Sequence, residues 1–425
     1  MKFSITLLSL LITISCIGQK EMRYWIFGSS TDGSNMSLDF FPGNTSSPSG
    51  PVSMSNPPIG INDSNGYEGW AVVTDPITGD LRMYTDGNRV YDGAHSDITP
   101  AGGLGASSSS SQPVAICVTP TSSGLKYYIF SNRTGVDTSG NQESGSVIYR
   151  TFDGSNFSTS SSLPGSPSVH GEGMVIIPKQ NSTNSFYLIA RSANIYYSYS
   201  VTPTGISLAD NARFGPSINN NPIVNLSYSS GKIGGSIFGV SGGVFTIDFD
   251  NNTGQFNPSS FQMRTTVSNR FYDVEFSADG SKLYASSYSP LILYQIDLAT
   301  NQTNTLNNFG NLQRGGGLKL GPDGNVYHIY NGGSLNATGT IRVGRVLNAD
   351  QIITSNSFSS SYEMNVITKP NSFSYGFPEF AILPDQFSNG EGDCDCCVEV
   401  KKELEEIKKL LKGIIAGKHP VKTKE

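Results

Sequence analysis

Charged residues are scarce in this chain of 425 residues, at 15%, and only four histidines are present. Nine of the 28 basic residues but five of the 34 acidic ones lie in residues 1–18 and 398–425, which leaves residues 19–397 with about ten net negative charges. Such a chain is unsuited to electrostatic binding of nucleic acid. No histidine lies in a Ser/His/Asp or Cys/His signature, so we expect no nucleophilic triad, no cofactor and no metal site.

Long apolar runs are missing as well, apart from one at the amino terminus. Residues 1–18 begin with a lysine at position 2, continue through an apolar stretch and end in small residues, which predicts a secretory signal peptide. No later segment holds 18 consecutive apolar residues, so no transmembrane helix is predicted. Cys16 follows a loose lipoprotein cleavage box, and both lipidation there and release with Gln19 as the first residue stay open. Either route predicts an extracellular or cell-surface protein that meets a membrane only through a lipid.

Glycine is abundant, with 47 residues, as are phenylalanine and tyrosine, with 22 and 20. This composition favours strands and turns and predicts an all-β protein. A strand that ends in a turn recurs seven times, at steps of 51, 59, 48, 48, 49 and 49 residues. Its markers are Asp39, Val90, Tyr149, Tyr197, Phe245, Tyr294 and Val343. Four strands with their loops need about this length, so we predict a seven-bladed β-propeller over residues 19–387.

Tight turns between the predicted inner strands support this fold. Asp279-Gly280 and Asp323-Gly324 each separate two apolar runs, and Asp-Gly supplies the positive-φ residue that such a turn needs. A propeller closes its ring by pairing a terminal strand into a blade from the other end of the chain. We predict residues 380–383 as the innermost strand of the blade that begins with residues 25–40.

Several motifs resemble those of known propellers. Residues 276–284 are similar to the hairpin of YVTN-type seven-bladed propellers. Residues 23–387 resemble a family of secreted Bacteroidota propeller proteins, on the motifs Trp25-Ile26-Phe27-Gly28, Leu38-Asp39-Phe40, Glu68-Gly69, Tyr84-Thr85-Asp86-Gly87, Ser111-Gln112-Pro113-Val114-Ala115 and Pro378-Glu379-Phe380. The resemblance implies a fold and a compartment more than an activity. Family members usually end in a sorting domain, whereas this chain ends in a helical tail.

The loop that enters each innermost strand of such a propeller lines the mouth of the central channel. The polar residues predicted there are Glu68, Gln112, His170, Glu172, Lys232, Arg270, Arg314 and Tyr375. This mixed ring suits a polar ligand, a saccharide or a peptide loop, held by a few hydrogen bonds. Side chains that merely line a water-filled channel would give the same pattern.

The sequence favours a binding protein over an enzyme, and a purely structural spacer is a third reading. The enzymatic alternative is a polysaccharide lyase or glycoside hydrolase built on a propeller. It would require His170, Glu172 and Arg270 to converge in a closed pocket. Fold analogy cannot choose the ligand.

The last 38 residues predict self-association. Residues 388–397 form a linker with Cys394, Cys396 and Cys397, and residues 418–425 a disordered tail. Residues 398–417 predict a helix. An apolar seam with heptad spacing begins at Cys397, directly before the helix, and continues with Val400, Leu404, Ile407, Leu411 and Ile414. We expect a disulfide-linked coiled coil of three or four chains that displays several propellers to a glycan or surface protein. Cys117, within a predicted strand, is expected to be a buried free thiol.

Overall fold

The computed structural model describes residues 20–30, 36–45, 47–48, 50–55, 68–136, 142–143, 145–165, 171–192, 195–214, 225–239, 242–265, 270–288, 290–309, 313–332, 340–370 and 372–383. The chain divides into two units, Met1–Leu383 and Pro384–Glu425. The predicted signal peptide, Cys16, the linker cysteines and the coiled-coil seam all lie outside the described residues.

The described part of the chain is built almost entirely from strands. In its first half these are β1 (Tyr24–Phe27), β2 (Ser29–Ser30), β3 (Met36–Asp39), β4 (Val52–Ser53), β5 (Trp70–Thr74), β6 (Leu81–Thr85), β7 (Val90–Asp92), β8 (Val114–Thr121), β9 (Gly124–Asn132), β10 (Gly135–Val136), β11 (Gln142–Glu143), β12 (Val147–Phe152), β13 (Ser161–Ser162), β14 (Met174–Pro178), β15 (Phe186–Ser192), β16 (Ile195–Thr202) and β17 (Gly205–Phe214). Short 3-10 turns lie at Lys20–Met22 and Pro42–Asn44.

The second half continues the same pattern. Its elements are β18 (Leu226–Ser229), β19 (Lys232–Ile237), β20 (Gly243–Asp250), β21 (Gln255–Met263), β22 (Phe271–Phe276), β23 (Lys282–Ser287), β24 (Ile292–Asp297), β25 (Thr303–Asn308), β26 (Gln313–Leu320), β27 (Val326–Gly332), β28 (Thr340–Val346), α1 (Phe358–Ser361), β29 (Tyr362–Pro370), β30 (Ser372–Phe373) and β31 (Pro378–Phe380). No helix in these described ranges is long and apolar enough to span a membrane.

The strands form seven blades, which confirms the predicted seven-bladed β-propeller. Five blades are four-stranded and consecutive in sequence, with the strand orders β8-β9-β12-β13, β14-β15-β16-β17, β18-β19-β20-β21, β22-β23-β24-β25 and β26-β27-β28-β29. The other two blades are β1-β3-β4 and β31-β5-β6-β7. All seven sequence markers fall on strands of different blades. The predicted turns also form, with Gly280 at φ 71° between β22 and β23 and Gly324 at φ 76° between β26 and β27.

Strand position explains the composition of each blade. The second strand β23 is buried along its whole length, whereas the outermost strand β21 is largely exposed. The sequence of β21 is accordingly polar, with Asn257, Pro258, Ser259 and Ser260 in a row. Strands that are covered on both faces are mainly apolar or small, whereas outer strands that face solvent can be polar. The one charged residue of β23, Lys282, pairs with Asp297.

The carboxyl-terminal strand closes the ring, but with a different partner from the predicted one. β31 pairs in parallel with β5, with Pro378 opposite Trp70 and Phe380 opposite Val72. Beyond β31, Ile382 forms a parallel bridge to Cys117 of β8. The expectation that residues 380–383 would pair into the blade of residues 25–40 is therefore wrong. The apolar side chains of this segment suit either position, and its partners β5 and β8 are distant from it in sequence.

Trp25 joins the two ends of the propeller through aromatic contacts. It is fully buried, and its ring centroid lies 4.8 Å from that of Phe40, 5.2 Å from Tyr327, 5.0 Å from Phe377 and 5.6 Å from Phe380. These rings belong to the first blade, the last blade and the closing segment. Aromatic pairs at such distances stabilise the contact beyond the area that they bury.

Candidate functional site

Six strands surround a central channel, and their direction defines its two ends. β8, β14, β18, β22, β26 and β31 all contribute residues to one cavity along the axis. We call the end where these strands begin the mouth and the end where they finish the base. The Lys20–Met22 turn lies at the base. Lys20 and Arg23, which follows the turn, donate hydrogen bonds to the carbonyl oxygens of Ile77 and Gly79. These two residues follow the end of β5, which runs parallel to β31.

Glu172 lies at the mouth, in the loop that enters β14. Asn132 holds this loop by donating from Nδ2 to the carbonyl oxygens of Gly171, at 3.0 Å, and Glu172, at 2.7 Å. The carboxylate Oε2 accepts the backbone N–H of Ser111 at 2.8 Å, whereas the buried Oε1 accepts no hydrogen bond from the described residues. Burial raises the pKa of Glu172 to about 7, against the opposing effects of Ser111 and the positive charge of Arg191.

Glu68 is a second carboxyl group at the mouth. Its Oε2 accepts a short hydrogen bond from the hydroxyl of Tyr272, at the beginning of β22. Burial raises the pKa of Glu68 to about 8, the bond from Tyr272 opposes this shift, and the charge of Glu172 adds to it. The two carboxyl groups therefore interact, although they come from loops about 100 residues apart in sequence.

Aromatic rings gather beside Glu68. Tyr272, Tyr288 and Tyr375 have ring centroids 5.3 to 6.1 Å apart, and the hydroxyls of Tyr288 and Tyr375 lie 2.9 Å apart. Phe238 meets Tyr288 edge-on at 5.8 Å, and the Arg270 guanidinium lies 5.8 Å from the Phe238 ring. Tyr272 and Tyr375 are buried, Phe238 and Tyr288 are half-buried, and Arg270 is exposed. We call these four rings the mouth cluster.

Glycines allow the segment that carries Tyr375 to approach this closely. A Cβ atom on Gly376 would collide with the carbonyl oxygen of Glu68, and one on Gly317 would lie 2.7 Å from the carbonyl oxygen of Tyr375. The backbone N–H of Gly317 donates to that oxygen at 2.8 Å. Larger residues at either glycine would push the closing segment away from the mouth.

Gln112 was expected to line the mouth, but it lies across the channel and is only 4% exposed. Its Oε1 accepts the backbone N–H groups of Met174 and Leu226, both at 3.0 Å. Its Nε2 donates to the Leu226 carbonyl oxygen at 3.0 Å and to Glu379 Oε1 at 3.2 Å. This side chain, two residues before β8, thus ties its segment to β14, β18 and β31, and it lines the cavity that extends towards the base.

Most of the other predicted residues lie at the mouth. They are Glu68, Glu172, Arg270 and Tyr375, together with the backbone of Arg314, which pairs with Asn331 near the beginning of β26. Lys232 does not lie there, because it begins β19, the second strand of its blade, and pairs with Asp248 of β20. Its expected position is corrected accordingly.

Two of the three residues expected to converge in an enzyme, Glu172 and Arg270, lie at the mouth. His170, the third, lies outside the described part of the chain, so their convergence stays a prediction. Within the ranges that the structure describes, no group of three or more His, Cys, Asp or Glu side chains could hold a metal ion.

Sequence reasoning missed the charged side chains inside the channel. Lys319 of β26 donates to Glu379 Oε2 at 2.6 Å, and Ser227 donates to Glu275 Oε1 at 2.8 Å. A signal was present in Phe271-Tyr272-Asp273-Val274-Glu275, where acidic residues alternate with apolar ones in an otherwise buried strand. Both Asp273 and Glu275 line the channel.

No protein-family model matches the chain, and no curated protein matches it. Its structure is similar to that of a Lactobacillus plantarum protein, at 10% identity and a TM-score of 0.44, over 84% of this chain and 98% of that one. It is also similar to a Bacteroides uniformis protein proposed to be a 6-phosphogluconolactonase, at 14% identity and a TM-score of 0.37, over 82% and 99% of the two chains. A Myceliophteria thermophila Cps50 (Swd1) β-propeller domain matches at 13% identity and a TM-score of 0.35, over 55% of this chain and 66% of that domain. Similarity at this level does not extend to function.

Proposed function

We propose that this protein is a non-enzymatic binding protein that holds a glycan at the channel mouth. The observation that carries the proposal is the mouth cluster beside Glu68. Phe238 and Tyr288 present partly exposed ring surface, and Arg270 and Glu68 supply a donor and an acceptor at its margins. A sugar ring offers both an apolar C–H face and hydroxyl groups, so it matches a site of this composition.

The packing of the rings supports a preformed site. Tyr272 and Tyr375 are buried and hydrogen-bonded, and both contact Tyr288, with ring centroids 6.1 and 5.3 Å from its own. A ligand that contacts Tyr288 and Phe238 therefore does not have to order these side chains, and less entropy is lost on binding. One such mouth offers a small surface, and we expect weak affinity for each propeller.

Display of several propellers would compensate for weak single sites. We propose, from the sequence, that residues 398–417 associate and that Cys394, Cys396 and Cys397 link the chains after export. Several mouths on one particle then bind a repetitive glycan more tightly than one mouth does. The family motifs of the amino-terminal half support the same compartment, a secreted or surface-attached protein.

A glycan array probed with the full-length protein tests this function. For a glycan found in this way, we expect Tyr288→Ala to weaken binding at least about tenfold in calorimetry. The matched control is Phe157→Ala, which removes a half-buried ring from the outer side of another blade. Absence of any glycan ligand, or equal loss in both variants, would contradict the proposal.

One observation favours an enzyme as the second candidate. The carboxyl groups of Glu68 and Glu172 interact, and their pKa values are raised to about 8 and about 7. A pair of acids that titrate near neutral pH could serve general acid–base catalysis of glycan cleavage. Shortened products after incubation with the bound glycan, abolished by Glu172→Gln, would establish this candidate in place of the first.

A further inference from the structure

A second concave site lies below Gln112, at the opposite end of the channel from the mouth. The cavity has a volume of about 250 Å³, which corresponds to roughly eight water molecules. Its lining runs from Gln112 to the ends of the inner strands at Pro178, Tyr228 and Leu320, and it includes Met22 of the 3-10 turn. We call it the base cavity.

Most polar groups around the base cavity are already engaged. The Glu379 carboxylate accepts from Lys319 Nζ through Oε2 and from Gln112 through Oε1. The Asp273 carboxylate accepts the backbone N–H of Val274 and that of Leu318, both at 2.8 Å. These groups hold the inner strands together and have little capacity left for a ligand.

Glu275 is the exception. Its Oε1 accepts from Ser227 Oγ at 2.8 Å and from the Phe276 N–H at 3.1 Å, whereas its Oε2 accepts no hydrogen bond from the described residues. Glu275 is half-buried and lines the cavity. Lys319, the ammonium group in the described lining, pairs with Glu379, and Glu275 forms no ion pair among the described residues. Burial raises the pKa of Glu275, and the charge of Lys319 opposes this.

The charge balance of the cavity selects the sign of a ligand. With Asp273 held by backbone groups, the cavity walls carry the two carboxylates of Glu275 and Glu379 against the single ammonium of Lys319. Ile176 and Phe380 supply apolar surface to the same lining. A small cation with a short carbon skeleton matches both features.

We propose that the base cavity binds a small primary ammonium compound, with its ammonium group on Glu275 Oε2 and its carbon skeleton against Ile176 and Phe380. The volume limits the skeleton to a few carbon atoms, unlike the extended glycan proposed for the mouth. The two sites are formed by different side chains, so each can fail without the other.

Calorimetry with n-butylammonium and its neutral analogue n-butanol tests the proposal on the full-length protein at neutral pH. We expect saturable binding of one butylammonium per chain and at least about tenfold weaker binding of butanol, because only the amine compensates the carboxylate. This comparison needs no variant. Absence of saturable amine binding, or equal binding of the alcohol, would overturn the proposal.

Two isosteric variants then locate the site. Glu275→Gln keeps an acceptor for Ser227 and Phe276 but removes the charge, and we expect at least about tenfold weaker amine binding. Glu68→Gln makes the same change at the mouth and should leave amine binding unaltered. Equal effects of the two variants would contradict the assignment. Glycan binding that survives Glu275→Gln would show that the mouth functions independently.

Discussion

Replacement of Gln112 by methionine should destabilise the propeller, because one side chain makes four hydrogen bonds to three other inner strands. Methionine has nearly the same length and volume, so the change removes the polar atoms without opening a large void. Two backbone N–H groups, those of Met174 and Leu226, and one carbonyl oxygen, that of Leu226, lose their partner. Glu379 loses one of its two partners.

The size of the effect follows from these lost bonds. Leaving a buried polar group unsatisfied costs about 1–3 kcal/mol, and a typical hydrogen bond contributes about 1 kcal/mol net. Water from the adjoining base cavity of about 250 Å³ can replace some of the partners at small entropic cost. We therefore expect Gln112→Met to lower the free energy of unfolding by about 2–4 kcal/mol.

Urea unfolding followed by tryptophan fluorescence measures this change, since both Trp25 and Trp70 are fully buried. The matched control is Gln302→Met at an exposed turn, where the side chain bonds only Asn304, and a change below about 0.5 kcal/mol is expected there. If Gln112→Met were as mild as Gln302→Met at an unchanged m-value, the role of Gln112 as a clamp between strands would be refuted.

Three further predictions concern charge and assembly. Lys319→Met should lower the free energy of unfolding by about 1–3 kcal/mol, and adding Glu379→Gln should recover part of this loss. If denaturation showed that the losses of the two single variants simply add, the two side chains would not be coupled. Burial raises the pKa values of Glu68 and Glu172 to about 8 and about 7. Their contribution to stability is therefore full below about pH 4.5 and is lost as the pH rises through those values. Replacing both residues by Gln should make the decline of stability with pH less steep, and an unchanged pH profile of unfolding would contradict the assignment. Light scattering of the mature protein should show three or four chains that a non-reducing gel finds cross-linked, whereas monomers with and without reductant would refute display through the tail.

The repeating part of the fold could be predicted from the sequence because it depends on local patterns. Marker strands about 49 residues apart and turns such as Asp279-Gly280 have periodicity and backbone requirements that neighbouring residues reveal. Cys117 was also predicted correctly as a buried free thiol, since it lies in a continuous apolar run. The strand with which β31 pairs could not be predicted, because the apolar side chains of β31 fit more than one sheet edge.

The candidate site was only partly predictable for a related reason. Glu68, Glu172 and Tyr375 could be placed at the mouth from the topology of inner strands. The mouth cluster additionally requires Tyr272 and Tyr288, which reach Tyr375 from 87 or more residues away in sequence. Lys232 was misplaced, because a shift of one strand within a blade moves a residue from the channel to its second layer.

The most direct test of the glycan-binding mouth is hydrogen–deuterium exchange of the propeller with and without a glycan identified on the array. We predict slower exchange at the beginning of β22, around Tyr288 and in the segment that carries Tyr375, with no change at Pro178 or Leu320 at the base. Protection confined to the base, or absent from the mouth while the glycan is bound, would contradict this account of the protein.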